Sequence, residues 1–325
     1  MTGESHAADD LDLGLLRALE LDGRASFSRI GSVLGVSDQT VARRYRRLRA
    51  EGGLRVVGVR NAELLGHDQW MLRLRCTPDS AGTIADALAR RRDTTWIGLT
   101  SGGTEVVCMT RPRSRGDHDD LLLGRLPRTP SIVEIRANQL IHRFFGGPDG
   151  WLGKFAGLSP AQEAALRPEP PPSPGPARLD PEDDALLAVL EQDGRATYPE
   201  LQRATGRSES AVKRRLGTLL ASGAVYIDVD YPPELVGSPL AAILWITAAP
   251  GALHSVGEAL AAHDEIAYAA ATAGVSNLVA TVVVRDTAGL YAYISGRLGT
   301  LDGVQHVETA PYLRRVKQLT YPPPR

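Results

Sequence analysis

The sequence has little cysteine and no excess of either charge, and these shortages narrow the possible classes of protein. Cys76 and Cys108 are the only cysteines, so the chain has neither a disulfide framework nor the ligand spacing of a zinc site. The formal net charge of the 325 residues is −1, so the chain as a whole does not attract nucleic acid. Any DNA site must therefore come from a local cluster of basic residues.

Long hydrophobic segments are also missing. The longest apolar run, residues 240–249, is shorter than the roughly 20 residues that a membrane-spanning helix needs. The amino-terminal segment MTGESHAADD is polar and acidic and lacks the apolar core of a signal peptide. We therefore expect a soluble cytoplasmic protein without a membrane partner, long enough for two or more separately cored domains.

The chain contains an internal repeat. Displacing the sequence by 171 positions places residues 12–54 over residues 183–225 without a gap, and 17 of these 43 positions are identical. The identities include Asp22-Gly23-Arg24-Ala25, which recurs as Asp193-Gly194-Arg195-Ala196. This agreement indicates a tandem duplication of a unit of about 140 residues.

A proline-rich segment separates the two copies. The run PEPPPSPGPAR lies within residues 146–178 and favours an extended spacer, because proline at this density prevents regular pairing. Before it, Ser159 and Pro160 indicate one short helix, with Ser159 as its N-cap. We therefore predict a linker over residues 146–178.

Each unit begins with three short helices. In the first copy, leucines at helical spacing predict a helix over residues 12–21, and residues 26–34 and 38–51 follow as two more helices. Gly35 marks the turn between the last two, and Ser37 is placed to cap the third helix. Two short helices around a glycine turn are typical of a helix-turn-helix, whose second helix enters the major groove of DNA.

The third helix of the first copy carries the side chains that DNA recognition needs. Gln39, Thr40 and Arg43 lie where base edges would be read, since Gln and Arg pair with adenine and guanine and Thr can contact a thymine methyl. The arginines that follow suit phosphates. The predicted DNA-binding residues of this copy are Ser37, Asp38, Gln39, Thr40, Arg43, Arg44, Arg46 and Arg47.

The second copy keeps the turn and the cap but is less basic. The positions of Arg46, Arg47 and Arg49 hold Gly217, Thr218 and Leu220. We therefore predict that the second helix-turn-helix contributes less phosphate affinity than the first. Its predicted DNA-binding residues are Ser208, Ser210, Lys213, Arg214 and Arg215.

The remainder of each unit alternates strands and helices. In the first copy the pattern predicts a strand at 70–76, a helix at 80–91, strands at 95–100 and 106–110, a helix at 117–125 and a strand at 132–142. In the second copy it predicts a strand at 241–247, a helix at 252–262, strands at 266–272 and 278–284, a helix at 287–298 and a strand at 304–314. The order βαββαβ is ferredoxin-like. Both cysteines fall on strands, where we expect them to be buried apolar filler.

These residues together resemble the Lrp/AsnC (leucine-responsive, feast/famine) transcription regulators. The resemblance rests on Asp12, Asp22-Gly23-Arg24, Gly35-Val36-Ser37 and Arg43-Arg44 before a βαββαβ module, and it covers nearly all of both units. It implies an α+β protein with two winged-type helix-turn-helix modules, each followed by a ferredoxin-like, RAM-like sensor domain. The implied domains are 1–60 and 179–231 for DNA binding and 61–145 and 232–325 for ligand sensing and oligomerisation.

The resemblance also implies partners. Most members of the family are single units that dimerise, so here the usual dimer is expected within one chain, with further homo-oligomers through the sensor domains. In the family an amino acid or related metabolite binds near a Gly-x-x-Asp turn between the second and third sensor strands. The matching positions are Gly102 to Glu105 and Gly274 to Asn277, and neither keeps the aspartate. Glu105 could pair with a ligand ammonium, whereas Asn277 could only hydrogen-bond it.

The second effector site should therefore prefer a different ligand or none. The glycines of both turns are equally well explained as hairpin residues that need positive φ. The predicted effector-binding residues are Ser101, Gly102, Glu105, Gly274 and Asn277.

An enzyme is the main alternative. The seven histidines are scattered, and the sequence has no Walker loop, dinucleotide-binding glycine fingerprint or nucleophile elbow, so we predict no catalytic residue, metal or cofactor. Within the same resemblance, some proteins of this layout are haem-pathway decarboxylases or their regulators. Such an enzyme would need a deep pocket with groups such as His142 and Arg143. A protein-interaction scaffold without DNA binding fits poorly with the basic helix at residues 43–49. The sequence therefore favours a regulator that binds double-stranded DNA and responds to a small molecule.

Overall fold

A computed structural model of the chain describes residues 8–111, 113, 119–154, 157–168, 176 and 178–319, which belong to two compact units. The described residues within 1–66 and 147–236 form the helical unit, which contains both helix-turn-helix modules. Those within 67–146 and 237–325 form the sheet unit, which contains both sensor modules. Like modules from the two copies therefore fold together, as expected for an intrachain dimer.

The elements follow the predicted order in both copies. The first copy contains α1 (Asp10–Leu21), α2 (Phe27–Leu34), α3 (Asp38–Ala50), β1 (Arg55–Arg60), β2 (Trp70–Cys76), α4 (Ala81–Ala89), β3 (Thr94–Thr100), β4 (Glu105–Thr110) and β5 (Ile132–Phe145). After α5 (Pro160–Leu166) the second copy contains α6 (Asp184–Leu190), α7 (Tyr198–Thr205), α8 (Glu209–Ala221), β6 (Val225–Asp230), β7 (Leu240–Ala248), α9 (Leu253–Ala262), β8 (Ile266–Thr272), β9 (Leu278–Val284), α10 (Thr287–Ala292), β10 (Val304–Pro311) and β11 (Arg314–Lys317).

The second helix of each sensor module departs from the predicted α-helix. A π-helical segment, Tyr293–Leu298, continues α10 in the second copy. In the first copy a π-helical segment covers Asp120–Arg125, and the predicted start of that helix at Asp117 lies outside the described residues.

The helix-turn-helix geometry is confirmed in both copies. Ser37 caps α3 by accepting a hydrogen bond from the backbone N–H of Thr40, and Ser208 caps α8 in the same way through Ala211. Gly35 ends α2 with φ of 70°, a conformation that glycine adopts at little cost.

Part of the predicted linker is not a spacer. Leu152, and Leu166 at the end of α5, are fully buried in the core of the first helix-turn-helix module. Glu163 of α5 also accepts a 2.7 Å hydrogen bond from Nε of Arg17. The linker prediction is therefore wrong for residues 151–154 and 157–166, because their leucines complete the core of the first module. The short helix capped by Ser159 is confirmed, and most of the proline run lies outside the described residues.

The two helix-turn-helix modules meet in a reciprocal contact. Strands β1 and β6 pair antiparallel. Arg24 donates to the carbonyl oxygens of Gly194 and Ala196 at 2.5 and 3.0 Å, and Arg195 donates to the same positions of the first copy at 2.7 and 2.9 Å. Because each copy contributes the same groups, the two modules are related by an approximate two-fold axis.

In the sheet unit the two sensor modules share one sheet. The described strands form a nine-stranded antiparallel sheet in the order β10-β7-β9-β8-β5-β2-β4-β3-β11. Each copy keeps the ferredoxin-like order within it, which confirms the predicted βαββαβ fold. Strand β5 begins beside β2 and ends beside β8 of the other copy, and β11 lies beside β3. The copies are thus joined at two places, by the β5–β8 pairing and by the β11–β3 pairing.

The sheet buries apolar side chains on both faces. Leu72 and Leu244 pack toward the helices, whereas Met71, Val107 and Trp245 from both copies form a separate core on the other face. Cys76 and Cys108 are buried, as predicted. In the described part of the chain, no helix has the length and apolar character to cross a bilayer.

The folded linker should contribute to stability. We expect Leu166→Ala to lower the free energy of unfolding of the helical unit by about 2–5 kcal/mol, because it opens a cavity in a packed core. Chemical denaturation followed by circular dichroism measures this change. Leu123→Ala, at a leucine that is 75% exposed, is the control and should have little effect. Equal effects of the two substitutions would contradict the packing role.

Candidate nucleic-acid interface and effector loops

The first turns of α3 present the predicted base-reading residues to solvent. Asp38, Gln39 and Arg43 are exposed, while Val41, Tyr45 and Leu48 on the opposite face are buried in the module core. Within the described residues, the Arg43 guanidinium has no ion-pair partner. The Thr40 hydroxyl lies 3.0 Å from Oγ of Ser37, so it is partly engaged in the cap.

Other arginines of α3 are held by carboxylates of the fold. Arg44 lies 2.5 Å from Asp9 and 3.0 Å from Asp12, and Arg47 pairs with Asp12. Arg49 lies 3.3 Å from Asp193 of the second copy. The hydrogen bond from Arg44 lowers the pKa of Asp9. Arg44 and Arg47, both in the predicted DNA-binding set, therefore anchor α3 to α1. They neutralise Asp12, whose carboxylate is buried and would otherwise be destabilising.

The second copy repeats this anchor. Arg215 lies 2.5 Å from Asp183 and 2.9 Å from Asp180. Burial raises the pKa of Asp183, but the hydrogen bonds from Arg215 and from the backbone N–H of Asp180, together with the nearby positive charges, lower the pKa overall. Lys213 and Arg214 are exposed and have no ion-pair partner within the described ranges. Ser208, Arg214 and Arg215 help to line a surface depression.

The charge difference between the two helices is smaller than the sequence suggests. Of the three arginines that the second copy lacks, Arg47 and Arg49 are engaged by carboxylates in the first copy. Arg46 is exposed, and its Nε donates to the Ala42 carbonyl of its own helix at 3.2 Å. The weaker phosphate affinity of the second module therefore stays a prediction, and its remaining basis, the absence of Arg46, is offset by Lys213 at the position of Ala42.

The effector loop of the first copy is internally hydrogen-bonded. Glu105, which is 7% exposed, accepts hydrogen bonds from Arg73 at 2.9 Å, from the Thr100 hydroxyl at 2.9 Å and from the Ser101 hydroxyl at 3.2 Å. Ser101 has φ of 52° and Gly102 has φ of 66°. A serine in the left-handed region is strained, and such strain often accompanies function. Glu105 already has a cationic partner, so a ligand ammonium would have to compete with Arg73.

The loop of the second copy differs from the first both in its hydrogen bonds and in its backbone conformation. The Asn277 amide accepts from the backbone N–H of Ala248 and donates to its carbonyl, each at 2.8 Å, and thereby ties the loop to the end of β7. Gly274 alone in this loop has positive φ, at 132°, and an added Cβ would come 2.6 Å from Nδ2 of Asn138. Both predicted hairpin glycines thus have the expected backbone conformation.

Sequence reasoning missed the polar cluster around Arg73. Besides Glu105, Arg73 pairs with Glu308 of the second copy at 2.6 Å, and its guanidinium lies 4.7 Å from the Trp245 ring centroid. Trp245 occupies the position in β7 that Arg73 has in β2, opposite Val279 as Arg73 is opposite Val107. The repeat gave no signal here, because the two copies differ at these positions.

The residues considered for an enzyme lie on the exchanged strand. His142 is an exposed residue of β5. Its ring centroid lies 4.6 Å from that of Phe144 and 6.3 Å from that of His254 on α9. Arg143 follows it in the same strand. In the described part of the chain, no three His, Cys, Asp or Glu side chains are grouped so that they could hold a metal ion.

A buried carboxyl lies where α1, the folded linker and the second copy meet. Glu20 lies 3.1 Å from Arg17 and accepts hydrogen bonds from the backbone N–H of Leu152 at 3.3 Å and from the Tyr231 hydroxyl at 3.2 Å. Burial raises the pKa of Glu20 to about 7, although Arg17 opposes the shift. The helical unit therefore binds a proton here more tightly than the unfolded chain does.

This proton makes a pH-dependent contribution to stability. Because the folded pKa lies above the ordinary value of 4.5, the stabilisation is complete below pH 4.5 and is lost as the pH rises through 7. We expect Glu20→Gln to remove this dependence, so that the variant gains about 3 kcal/mol relative to wild type between pH 4.5 and 8. Urea denaturation across that range measures it. Glu51→Gln, at an exposed position, is the control for loss of one acidic charge. Parallel profiles for Glu20→Gln and wild type would contradict the assignment.

Comparison with known families and proteins identifies both kinds of module. Residues 9–49 and 179–220 match the AsnC-type helix-turn-helix domain, and residues 241–322 match the Lrp/AsnC ligand binding domain.

Two relatives of known sequence are each matched over most of their length by one part of this chain. An uncharacterized HTH-type transcriptional regulator of Pyrococcus abyssi is 30% identical over 145 residues, which are 44% of this chain and 91% of that protein. The HTH-type transcriptional regulator LrpA of Pyrococcus horikoshii is 28% identical over 140 residues, or 43% of this chain and 99% of that protein. Nearly the whole of each relative is therefore matched by less than half of this chain.

A solved structure shares the fold over almost the whole chain. The siroheme decarboxylase NirDL is similar with a TM-score of 0.63 at 12% identity, over 95% of this chain and 93% of that chain. Its co-complex with an iron-uroporphyrin III analogue gives a TM-score of 0.64 at 11% identity, over 96% of this chain and 94% of that chain. At this level of identity the likeness shows a common fold, and function has to be argued from the residues of the site.

Proposed function

The chain belongs to the Lrp/AsnC family of DNA-binding transcriptional regulators, and on this premise we propose that it binds a specific operator and responds to an amino acid or related metabolite. The observation that carries the proposal is the pair of capped helices, α3 and α8, each with solvent-facing basic residues near its amino-terminal turns. Helices of this kind read base edges with their first turns.

The proposed roles of these residues in DNA binding are of three kinds. Gln39, Arg43, Ser210 and Arg214 are exposed on the first turns and would read bases, since their side chains match base edges in the major groove. Arg46 and Lys213 would contact phosphates. Arg44, Arg47 and Arg215 would act indirectly, because their ion pairs fix the helices that carry the reading residues.

The proposed effector site is the first loop, residues 101–105. Its support is the strained backbone at Ser101 and the buried carboxylate of Glu105, which the second loop replaces with Asn277. A ligand whose ammonium displaced Arg73 from Glu105 would disturb a contact between the two sensor copies, because Arg73 also holds Glu308. This is a direct route from ligand binding to sensor pairing. Further assembly of chains through the sensor domains belongs to the same proposal.

The alternative is an enzyme related to the decarboxylase whose fold the chain shares. That alternative requires a pocket around groups such as His142 and Arg143, whereas His142 is exposed. The regulator proposal accounts for the paired basic helices and for the sequence relatives named as transcriptional regulators. We therefore favour a non-enzymatic role.

DNA binding should depend on Arg43 and fall with salt. We expect Arg43→Ala to weaken binding to DNA from the protein's own promoter region by about 1–3 kcal/mol. Wild-type affinity should decrease linearly on a log–log plot against salt, because bound phosphates release counterions. Fluorescence anisotropy across a salt series measures both effects.

The control for charge alone is Arg128→Ala, which removes one exposed arginine from the sheet unit. It should bind like wild type. Binding that is absent, or that responds equally to both substitutions, would contradict the proposed interface and favour the enzyme alternative.

Substitutions at matching positions of the two copies should affect effector binding differently. Leu313 and Ile141 occupy matching positions in the two copies and are 67% and 58% exposed. The side chain of Leu313 adjoins the first loop at Gly103. We expect Leu313→Arg to weaken amino-acid binding about tenfold or more, because it crowds that loop, and Ile141→Arg to leave it near wild type. Isothermal titration calorimetry with the protein amino acids measures this. The absence of binding by all of them, or equal effects of the two variants, would contradict the proposal.

A further inference from the structure

We propose that the operator is non-palindromic, with two unlike half-sites in a fixed order, because a single chain presents two different reading surfaces in one two-fold pair. This inference rests on the proposed DNA-binding function and specifies which DNA that function requires.

The first step is that each reading pair contains one first copy and one second copy. The modules exchange the Arg24 and Arg195 hydrogen bonds and share the β1–β6 ladder. The side-chain contacts at the two ends of this module interface differ, however. At one end the Tyr231 hydroxyl bonds Glu20, and at the matching end Arg60 bonds Glu191 at 3.1 Å.

A further contact exists on one side only. Arg49 lies 3.3 Å from Asp193, and the position that matches Arg49 in the second copy holds Leu220. The pair of helix-turn-helix modules therefore has an approximate two-fold axis in its backbone but not in its side chains. Its two reading surfaces thus keep fixed places along the DNA.

The second step is that the two surfaces differ in chemistry. The reading positions of α3 hold Gln39 and Thr40, and the matching positions of α8 hold Ser210 and Ala211. Glutamine pairs bidentately with adenine and the threonine methyl can contact thymine, whereas serine bonds several bases and alanine offers only a methyl contact. The shared arginine, Arg43 or Arg214, favours guanine in both halves.

The third step is that the cationic side chain proposed to contact phosphate lies one helical turn further along α3 than along α8. Arg46 in α3 corresponds to Gly217 in α8, and Lys213 in α8 corresponds to Ala42 in α3. Positions four residues apart lie on the same helix face. The first helix therefore places its phosphate contact one turn further from its amino terminus than the second helix does.

These differences determine the form of the operator. A homodimer of identical helices reads an inverted repeat, since operator symmetry mirrors protein symmetry. A pair with one shared guanine contact and different neighbouring contacts instead reads two halves that share a guanine and differ beside it. The halves should be about one helical turn apart, about 10 base pairs centre to centre.

The test is selection of bound duplexes from a random library by the full-length chain. We expect a motif with two unlike halves in one order. An inverted repeat of equal halves would overturn the inference while leaving the proposed function intact, as would a motif with only one specified half. Failure to enrich any motif would instead overturn the proposed function itself.

A reader-exchange variant makes the test directional. Ser210→Gln, Ala211→Thr, Lys213→Ala and Gly217→Arg together give α8 the reading residues of α3. All four positions lie outside the buried core of the module. We expect this variant to select an inverted repeat of the first half-site, and an unchanged motif would overturn the inference.

Single substitutions cover the case in which the exchange variant does not fold. On a fixed wild-type operator, Arg43→Ala should reduce discrimination against a base change by about 5- to 150-fold at the guanine of one half only. Arg214→Ala should do the same at the other half. Loss of discrimination at both halves from either substitution would contradict two separately read half-sites.

Discussion

Arg24 and Arg195 each reach across to the other copy and donate to two carbonyl oxygens of its Asp-Gly-Arg-Ala turn. Buried carbonyl groups without a partner are destabilising, so each turn depends on the arginine of the opposite module. Together with the β1–β6 ladder, these bonds fix the mutual placement of α3 and α8. The position of both reading surfaces in the helical unit therefore follows from this exchange between the copies.

In the sheet unit the two copies also hold each other in place, but through exchanged strands and contacts of Arg73 instead of arginine–carbonyl hydrogen bonds. Strand β5 begins in its own module and ends beside β8, and β11 continues the second module along β3. Where the faces of the two copies meet, Arg73 of the first contacts Glu308 and Trp245 of the second. An intrachain pair permits this divergence, because a residue has to fit only its one partner, whereas in a homodimer every contact is repeated by symmetry.

Several arginines that the sequence assigns to DNA are used by the fold. Arg44 and Arg47 neutralise Asp12, which is 1% exposed, and Arg215 does the same for Asp183 in the second copy. Under the proposed function, their removal would weaken DNA binding indirectly, by loosening α3 and α8. A useful test of the interface therefore requires Arg43, Arg46, Lys213 and Arg214, whose side chains extend into solvent.

The sequence by itself determined the duplication, the order of elements, the capped helix-turn-helix and the βαββαβ pattern, because all of these depend on local periodicity and on turn residues such as Gly35 and Ser37. Only the tertiary structure decided that Leu152 and α5 belong to the first module, that Glu105 is paired with Arg73, and which arginines remain available for DNA. These features join residues far apart in the chain, such as Arg24 with Gly194 and Arg73 with Glu308. Local pattern carries no information on such contacts, since they form only when distant parts of the chain pack together.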